Sequence, residues 1–262
     1  MNKVTSKDGT AIAFDRSGKG PAVILVGGAL QPRMGNAQLA ELLSKDLTVF
    51  NYDRRGRGDS GDTQPYAAER EIEDIKALID EAGGSAALYG SSSGATLALK
   101  AAASGLMVSK LALWESNFLV DNSRPALPKD YVAQLNALIA AGRRGDAVEL
   151  FMTAGVGMPA EFVTPMRTMP MWPFMEAVAH TLSYDGTIVA DTLNGKPVTA
   201  KQWTSVTMPT IVMDGDTTPW LSTGAEAIAK SLPKAKRQTL EGQTHDVAPE
   251  AIAPAIAEFL KG

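Results

Sequence analysis

The sequence predicts an α/β fold: a mostly parallel central sheet flanked by helices, with a helical cap inserted. Two observations predict it. Short continuous apolar runs, which suit strands buried on both faces, alternate with longer segments whose apolar residues recur at helical spacing. This alternation stops over residues 116–205, where no clear strand pattern is found, and then resumes. We therefore predict a core domain of residues 1–115 and 206–262, with residues 116–205 as the cap.

The segment before the predicted cap begins with a hairpin, because Asp8-Gly9 is a tight-turn signal between two short β-type segments. Strands and helices then alternate, as in a parallel sheet covered by helices. The predicted strands are Ala22–Val26, Thr48–Tyr52, Ala86–Tyr89 and Lys110–Trp114, and the predicted helices are Asn36–Ser44, Ala68–Ala82 and Ala95–Ala103.

Helical spacing continues inside the predicted cap near residues 131–141, 147–153 and 174–182. The cap is also rich in methionine. After it, the predicted strands and helices are Thr210–Met213, Gly224–Leu232, Arg237–Leu240 and Pro249–Leu260. This second run completes the predicted core domain.

Composition excludes several functions. The net charge of −4, without a basic stripe, argues against a nucleic acid partner. The absence of cysteine excludes a thiolate nucleophile, and two histidines leave little for a metal site, so we expect no metal and no cofactor. The N-terminus has no apolar signal region, and no apolar run approaches the ~20 residues of a membrane helix. We expect a cytoplasmic protein that acts on a small molecule and does not bind a membrane; the oligomeric state stays open.

The strongest chemical motif is Gly90-Ser91-Ser92-Ser93-Gly94, which fits G-x-S-x-G between a predicted strand and a predicted helix. A strained turn at this junction projects the serine hydroxyl above the sheet. The flanking glycines let the backbone segments cross closely. The helix N-terminus points at the centre where negative charge develops. The glycine frame selects Ser92 as the nucleophile.

Three further segments occur in a family-specific order. Asp53–Ser60 matches D-x-R-G-x-G-x-S, Gly242–Pro249 matches G-x-x-H-x-x-x-P, and Val26–Ala29 occupies the place of an H-G-x turn. With the serine turn, they resemble the α/β-hydrolase superfamily over nearly the whole chain. The resemblance implies that His245 is the catalytic base and that the backbone N–H groups of Ala29 and Ser93 form the oxyanion hole. It also shows that Gly27 replaces the usual histidine of that turn.

The acid of the predicted triad departs from the common pattern. Most members place it after the strand that follows the cap, and that position here is Thr218, which cannot carry a negative charge. A group of haloalkane dehalogenases instead places a glutamate at the end of the strand before the cap, and Leu111–Ser116 resembles that arrangement. We therefore predict Glu115 as the acid, with Asp216 and then Asp214 as alternatives. The dehalogenase resemblance ends there, because those enzymes need an aspartate nucleophile.

Methionine and aromatic residues in and after the cap predict an apolar pocket, with Trp172, Met175 and Trp220 as candidate walls. The leading prediction is a carboxylic-ester hydrolase that works through an acyl-enzyme. Alternatives on the same triad are a cofactor-free haloperoxidase or perhydrolase, a lactonase and a carbon–carbon bond hydrolase. A ligand-binding receptor with little turnover is the alternative of another class.

Two other features have competing interpretations. Arg54, Arg55 and Arg57 could bind an anion, although such loops more often form structural salt bridges. His180, on a predicted cap helix, is interpreted as a packing or surface residue.

Overall fold

The computed structural model describes all residues 1–262 and contains one eight-stranded sheet. The strands are β1 (Asn2–Thr5), β2 (Ala11–Ser17), β3 (Ala22–Val26), β4 (Thr48–Tyr52), β5 (Ala86–Ser91), β6 (Val108–Trp114), β7 (Thr210–Gly215) and β8 (Ala235–Leu240). Their spatial order is β1-β2-β4-β3-β5-β6-β7-β8. Only β2 runs against the other strands, because it pairs antiparallel with both β1 and β4.

Helices cover both faces of the sheet. The α-helices of the whole chain are α1 (Ala37–Leu43), α2 (Ala68–Glu81), α3 (Ser93–Ala103), α4 (Tyr131–Ala140), α5 (Arg144–Leu150), α6 (Ala160–Met166), α7 (Trp172–Ala177), α8 (Leu182–Val189), α9 (Pro219–Ser231) and α10 (Pro249–Lys261). One apolar cluster joins α2, α3 and α9 to one face, and a second joins α1 and α10 to the other. Residues of β3 alternate between the clusters: Ile24 and Val26 enter the first, and Val23 and Leu25 the second. No helix is both long and apolar enough to cross a membrane.

The predicted fold class is confirmed, and the bounds of β3 and β4 agree with the predicted strands. Three helices differ from the predicted elements. Helices α6 and α8 were not predicted: α6 contains a proline at position 165 that breaks the helical pattern, and the predicted segment 174–182 ends where α8 begins. Helix α9 begins at Pro219 rather than Gly224, because proline is well suited to the first turn of a helix.

The cap segment (residues 116–205) holds α4–α8 and no strand. Its middle part forms an apolar cluster of its own, which includes Tyr131, Leu135 and Val148. Its two ends pack instead into the sheet core, through residues such as Phe118 and Ile188. The cap segment is therefore joined to the core by continuous apolar packing at both ends.

Candidate active site

Ser92 lies on the turn between β5 and α3 with a positive φ of 58° and a ψ of −125°, which is a strained backbone conformation for a residue with a side chain. The flanking glycines are a steric requirement. A Cβ on Gly94 would lie 2.3 Å from the carbonyl oxygen of Val26, and a Cβ on Gly90 would lie 2.5 Å from that of Gly94. Neither distance is tolerated between non-bonded atoms. The close crossing of strand, turn and helix therefore holds Ser92 in its strained conformation.

Glu115 and His245 are in direct contact. The distance from Glu115 Oε2 to His245 Nδ1 is 2.6 Å, and Glu115 Oε1 accepts the Gly215 N–H at 3.0 Å. Glu115 is fully buried, whereas the His245 side chain is 39% exposed. Trp114 Nε1 donates to the His245 carbonyl oxygen at 3.0 Å, which ties the histidine loop to the end of β6. A buried carboxylate on Nδ1 fixes the tautomer and the orientation of the imidazole.

Ser92 and Glu115 occupy equivalent places on neighbouring strands. Ser91 pairs with Trp114 in the β5–β6 ladder, so Ser92 and Glu115 are the next residue on each strand. Each has a positive φ, 58° and 42°, and each turns away from the sheet at its carboxyl edge. Because the Ser92 N–H also donates to the Trp114 carbonyl oxygen at 2.9 Å, the sheet itself sets the spacing of these two residues.

The alternative acids have other partners. Asp214 is buried and accepts two hydrogen bonds of 2.8 Å from Arg237. Asp216 is exposed and accepts the Gly242 N–H at 2.9 Å. Neither contacts His245. Thr218, at the family's common acid position, immediately precedes α9.

The Ser92 hydroxyl hydrogen-bonds to the side-chain amide of Asn117 at 3.3 Å, not to His245. Ser92 and His245 nevertheless line the same cavity. Catalytic hydrogen bonds are often long or absent when no substrate is bound. A Ser92 hydroxyl that is bonded to Asn117 is therefore compatible with a substrate-free active site. Asn117 belongs to no motif and could not be predicted from the sequence.

Two unpaired backbone N–H groups flank Ser92. Ser93 begins α3, so its N–H has no carbonyl partner within the helix. The Ala29 N–H donates no hydrogen bond within the protein. A Cβ on Gly28 would lie 3.2 Å from Ser92 Cβ, which shows how closely the turn passes the serine. The next residue, Leu30, is strained at φ 59°. Both predicted oxyanion-hole donors are therefore free and adjacent to Ser92.

The family model described as "Alpha/beta hydrolase family" matches residues 23–255. The chain belongs to this family. An alpha/beta hydrolase from Sphaerobacter thermophilus is 56% identical, with 98% of this chain and 99% of that chain covered and a TM-score of 0.91. No curated protein matches the sequence.

Two solved structures of lower identity share the fold. An esterase from Thermogutta terrifontis is 22% identical, with 99% of this chain and 97% of that chain covered and a TM-score of 0.75. An enol-lactonase from Burkholderia xenovorans is 19% identical, with both chains fully covered and a TM-score of 0.71. At such identities the likeness concerns the architecture alone.

In this α/β hydrolase, the cavity above Ser92 has a volume of about 780 Å³. No lysine or arginine lines it. Its apolar wall comes largely from the cap segment and α9 and includes Phe151, Met152, Met158, Met166, Met171, Met175, Val189, Trp220 and Leu221. The site is therefore a roomy chamber whose apolar wall comes mainly from the cap segment.

Of the three predicted walls, Met175 and Trp220 line the cavity and Trp172 does not. Met171, which immediately precedes α7, and Met175 on α7 are four residues apart and both line the chamber. Trp172 packs into the cap core, where its Nε1 donates to Glu176 at 3.1 Å. The expectation for Trp172 is corrected accordingly, because its position on the helix places it on another face.

The three loop arginines are buried and paired. Arg55 forms two hydrogen bonds to Asp74, and a further bond to Asp8. Arg54 and Arg57 share Asp185 of α8. Since each guanidinium already has a carboxylate partner, the salt-bridge interpretation holds and the loop offers no free anion site.

His180 is half-buried, and burial lowers its pKa, although nearby Asp62 opposes the shift. It lies outside the cavity lining. No group of three or more metal-ligating side chains is positioned to hold an ion.

Proposed function

We propose that this α/β hydrolase is a serine hydrolase of small to medium apolar esters or related acyl compounds, with Ser92, His245 and Glu115 as its triad. The observation that carries the proposal is the 2.6 Å contact between buried Glu115 and His245, in the same cavity as the strained Ser92. A buried carboxylate, an imidazole and a serine in this order are the parts needed to activate a hydroxyl.

In the first half-reaction, Ser92 Oγ attacks the substrate carbonyl carbon while His245 Nε2 accepts the hydroxyl proton. Glu115 stabilises the imidazolium that forms. The N–H groups of Ala29 and Ser93 donate to the oxyanion of the tetrahedral intermediate. His245 then donates the proton to the leaving oxygen, so that an alcohol departs and an acyl-enzyme remains.

In the second half-reaction, His245 removes a proton from water as the water attacks the acyl carbonyl. The second tetrahedral intermediate collapses, Ser92 regains its proton from His245, and a carboxylic acid leaves. No cofactor is needed to balance these steps.

The cavity supports the substrate class. Its volume of about 780 Å³ is within the range of small-molecule sites, and its wall includes five methionines and four aromatic residues. Thioethers adapt to varied apolar shapes. Because no cation lines the cavity, a substrate carboxylate would be desolvated without a partner, which favours an uncharged acyl group.

The test is pre-steady-state release of nitrophenol from nitrophenyl esters of increasing acyl length. We expect a burst of one nitrophenol per active site in the wild type and none in Ser92→Ala. Ser91→Ala is the matched control, since it removes the neighbouring hydroxyl and should keep the burst. Wild-type activity no greater than that of Ser92→Ala would refute the proposal.

The same panel separates three of the other candidates, the lactonase, the perhydrolase and the receptor. A lactone, and hydrogen peroxide with a short carboxylic acid, are added as substrates. A dominant rate on either would assign the triad to lactone hydrolysis or perhydrolysis. Tight binding of an apolar ligand with turnover below roughly one per hour would instead support a receptor, since even slow enzymes turn over far faster.

A further inference from the structure

The turn that carries the Ala29 N–H is held from behind by two buried arginines. Arg57 Nη1 donates to the Gly28 carbonyl oxygen at 2.8 Å, and Arg54 Nη1 donates to that of Gly27 at 3.2 Å. Both guanidinium groups are about 1% exposed. Charged donors to neutral carbonyls in a buried setting make strong, well-directed hydrogen bonds.

Peptide geometry converts this contact into control of the oxyanion hole. The Gly28 carbonyl and the Ala29 N–H belong to one planar peptide group, and that group is trans. Its C=O and N–H therefore point in opposite directions. When Arg57 fixes the carbonyl on the buried side, it also fixes the N–H on the cavity side. Two consecutive glycines precede Ala29, so the backbone alone restrains this plane weakly.

Asp185 of α8 connects this support to the second donor. Its carboxylate accepts hydrogen bonds from Arg57 Nη2 at 2.6 Å, Arg54 Nη1 at 2.8 Å and Ser93 Oγ at 2.7 Å. Burial alone would raise the pKa of Asp185, but the charges of Arg57 and Arg54 outweigh it and lower the pKa. The ionised Asp185 carboxylate thus contacts Ser93, which bears one oxyanion-hole N–H. It also contacts the two arginines that orient the other N–H, that of Ala29.

We infer that Arg57 and Asp185 are positioning residues that set the direction of the Ala29 N–H and couple the oxyanion hole to cap helix α8. The inference rests on the proposed serine-hydrolase function. It also accounts for Gly27 in place of the family's usual histidine: in this chain the turn is supported from the arginine loop.

The experiment compares Arg57→Met with Arg55→Met. Arg55 is buried in the same loop and paired with Asp74, but it does not touch the oxyanion turn. Removal of one oxyanion donor costs about 10²–10³-fold in kcat, so a misdirected donor should cost about 10–100-fold. For Arg57→Met we expect that loss in kcat with KM within about 2-fold. We expect an equal loss of affinity for a trifluoromethyl ketone, whose adduct with serine carries an oxyanion.

Stability is measured alongside, because both variants break a buried ion pair and both should lower Tm. Arg55→Met should have a lower Tm than the wild type, but its kcat and its affinity for the ketone should stay near the wild-type values. Asp185→Asn, which keeps the shape but removes the charge, is the second variant should Arg57→Met fail to fold. We expect Asp185→Asn to lower the affinity for the ketone by a smaller factor than Arg57→Met does.

Equal losses of kcat and ketone affinity in the two arginine variants would overturn the inference, because the role would then be structural only. A wild type that binds the ketone through Ser92 but hydrolyses no ester would refute the proposed ester hydrolysis alone, and the ketone comparison would still decide this inference. A wild type that neither binds the ketone nor hydrolyses esters would overturn both.

Discussion

Glu115→Gln is the substitution that most directly tests the triad. Gln has nearly the shape of Glu, and its carbonyl oxygen can still accept the Gly215 N–H that Glu115 accepts at 3.0 Å. Its NH₂ group then faces His245 Nδ1. Because that group is a donor, Nδ1 must become an acceptor and the proton moves to Nε2. An imidazole with its proton on Nε2 cannot accept the proton of Ser92.

The size of the effect follows from the geometry. Unit charges 2.6 Å apart attract by about 6 kcal/mol at an effective dielectric constant of ~20. Water reaches the imidazole, which is 39% exposed, and screens part of this attraction. We therefore expect a loss of about 4–5 kcal/mol of transition-state stabilisation, which corresponds to roughly 10³–10⁴-fold in kcat. The change from carboxylate to amide in the well-known serine protease triad costs about as much.

The assay is steady-state hydrolysis of a short nitrophenyl ester, with thermal unfolding measured on the same samples. Two isosteric controls come from the alternative acids. Asp216→Asn changes an exposed residue and should leave kcat within about 3-fold. Asp214→Asn weakens a buried ion pair with Arg237. It should therefore lower Tm while leaving kcat nearly unchanged. Two results would contradict the role of Glu115: a Glu115→Gln variant that retains more than a tenth of the wild-type kcat, or an Asp216→Asn variant whose kcat falls further than that of Glu115→Gln.

Three further predictions follow from packing and charge. Gly94→Ala should cost about 2–3 kcal/mol of stability, and so lower Tm by roughly 4–12 °C, because the new Cβ overlaps two carbonyl oxygens; calorimetry with an unchanged Tm would contradict this. Met175→Trp should lower kcat/KM for octanoyl relative to acetyl esters by about 10-fold or more. Trp172→Phe should lower Tm and leave that ratio unchanged, and the opposite pattern would exchange their roles. Burial lowers the pKa of His180, so the unfolded chain binds its proton more readily and stability falls as the pH drops below ~6.5; His180→Gln should lose less Tm between pH 7.5 and 5, and equal losses would count against this.

Much of the fold could be predicted because its signals are local. The apolar runs of β3 and β4 are buried on both faces, so their hydrophobicity alone gives their bounds. The Asp8-Gly9 turn defines the β1–β2 hairpin in the same way. Helix α6 was missed because it is short and contains Pro165, so its residues do not repeat at helical spacing.

In the candidate site too, the residues that could be predicted are those with a local sequence signal. Ser92 and His245 lie in motifs, and Glu115 could be proposed because Leu111–Ser116 resembles the strand end at which a group of haloalkane dehalogenases places a glutamate. Asp185 could not be found from sequence, because its partner Arg57 is 128 residues away and no spacing rule connects a cap helix to that loop. The direction of Trp172 was equally inaccessible, since the face that a short helix turns to a cavity depends on the packing of its neighbours.

The adjacent endings of β5 and β6 have a consequence for how this enzyme would lose activity. Ser92 and Glu115 sit on central strands and stay together as long as the middle of the sheet survives. His245 reaches them on a loop that follows β8, an edge strand whose residues are mostly exposed. On warming, the edge strands of a sheet unfold locally before its central strands do. If His245 acts as the proposed base, mild heating should displace it from Ser92 and Glu115 before the sheet unfolds. Activity should then fall, and recover on cooling, below the unfolding temperature.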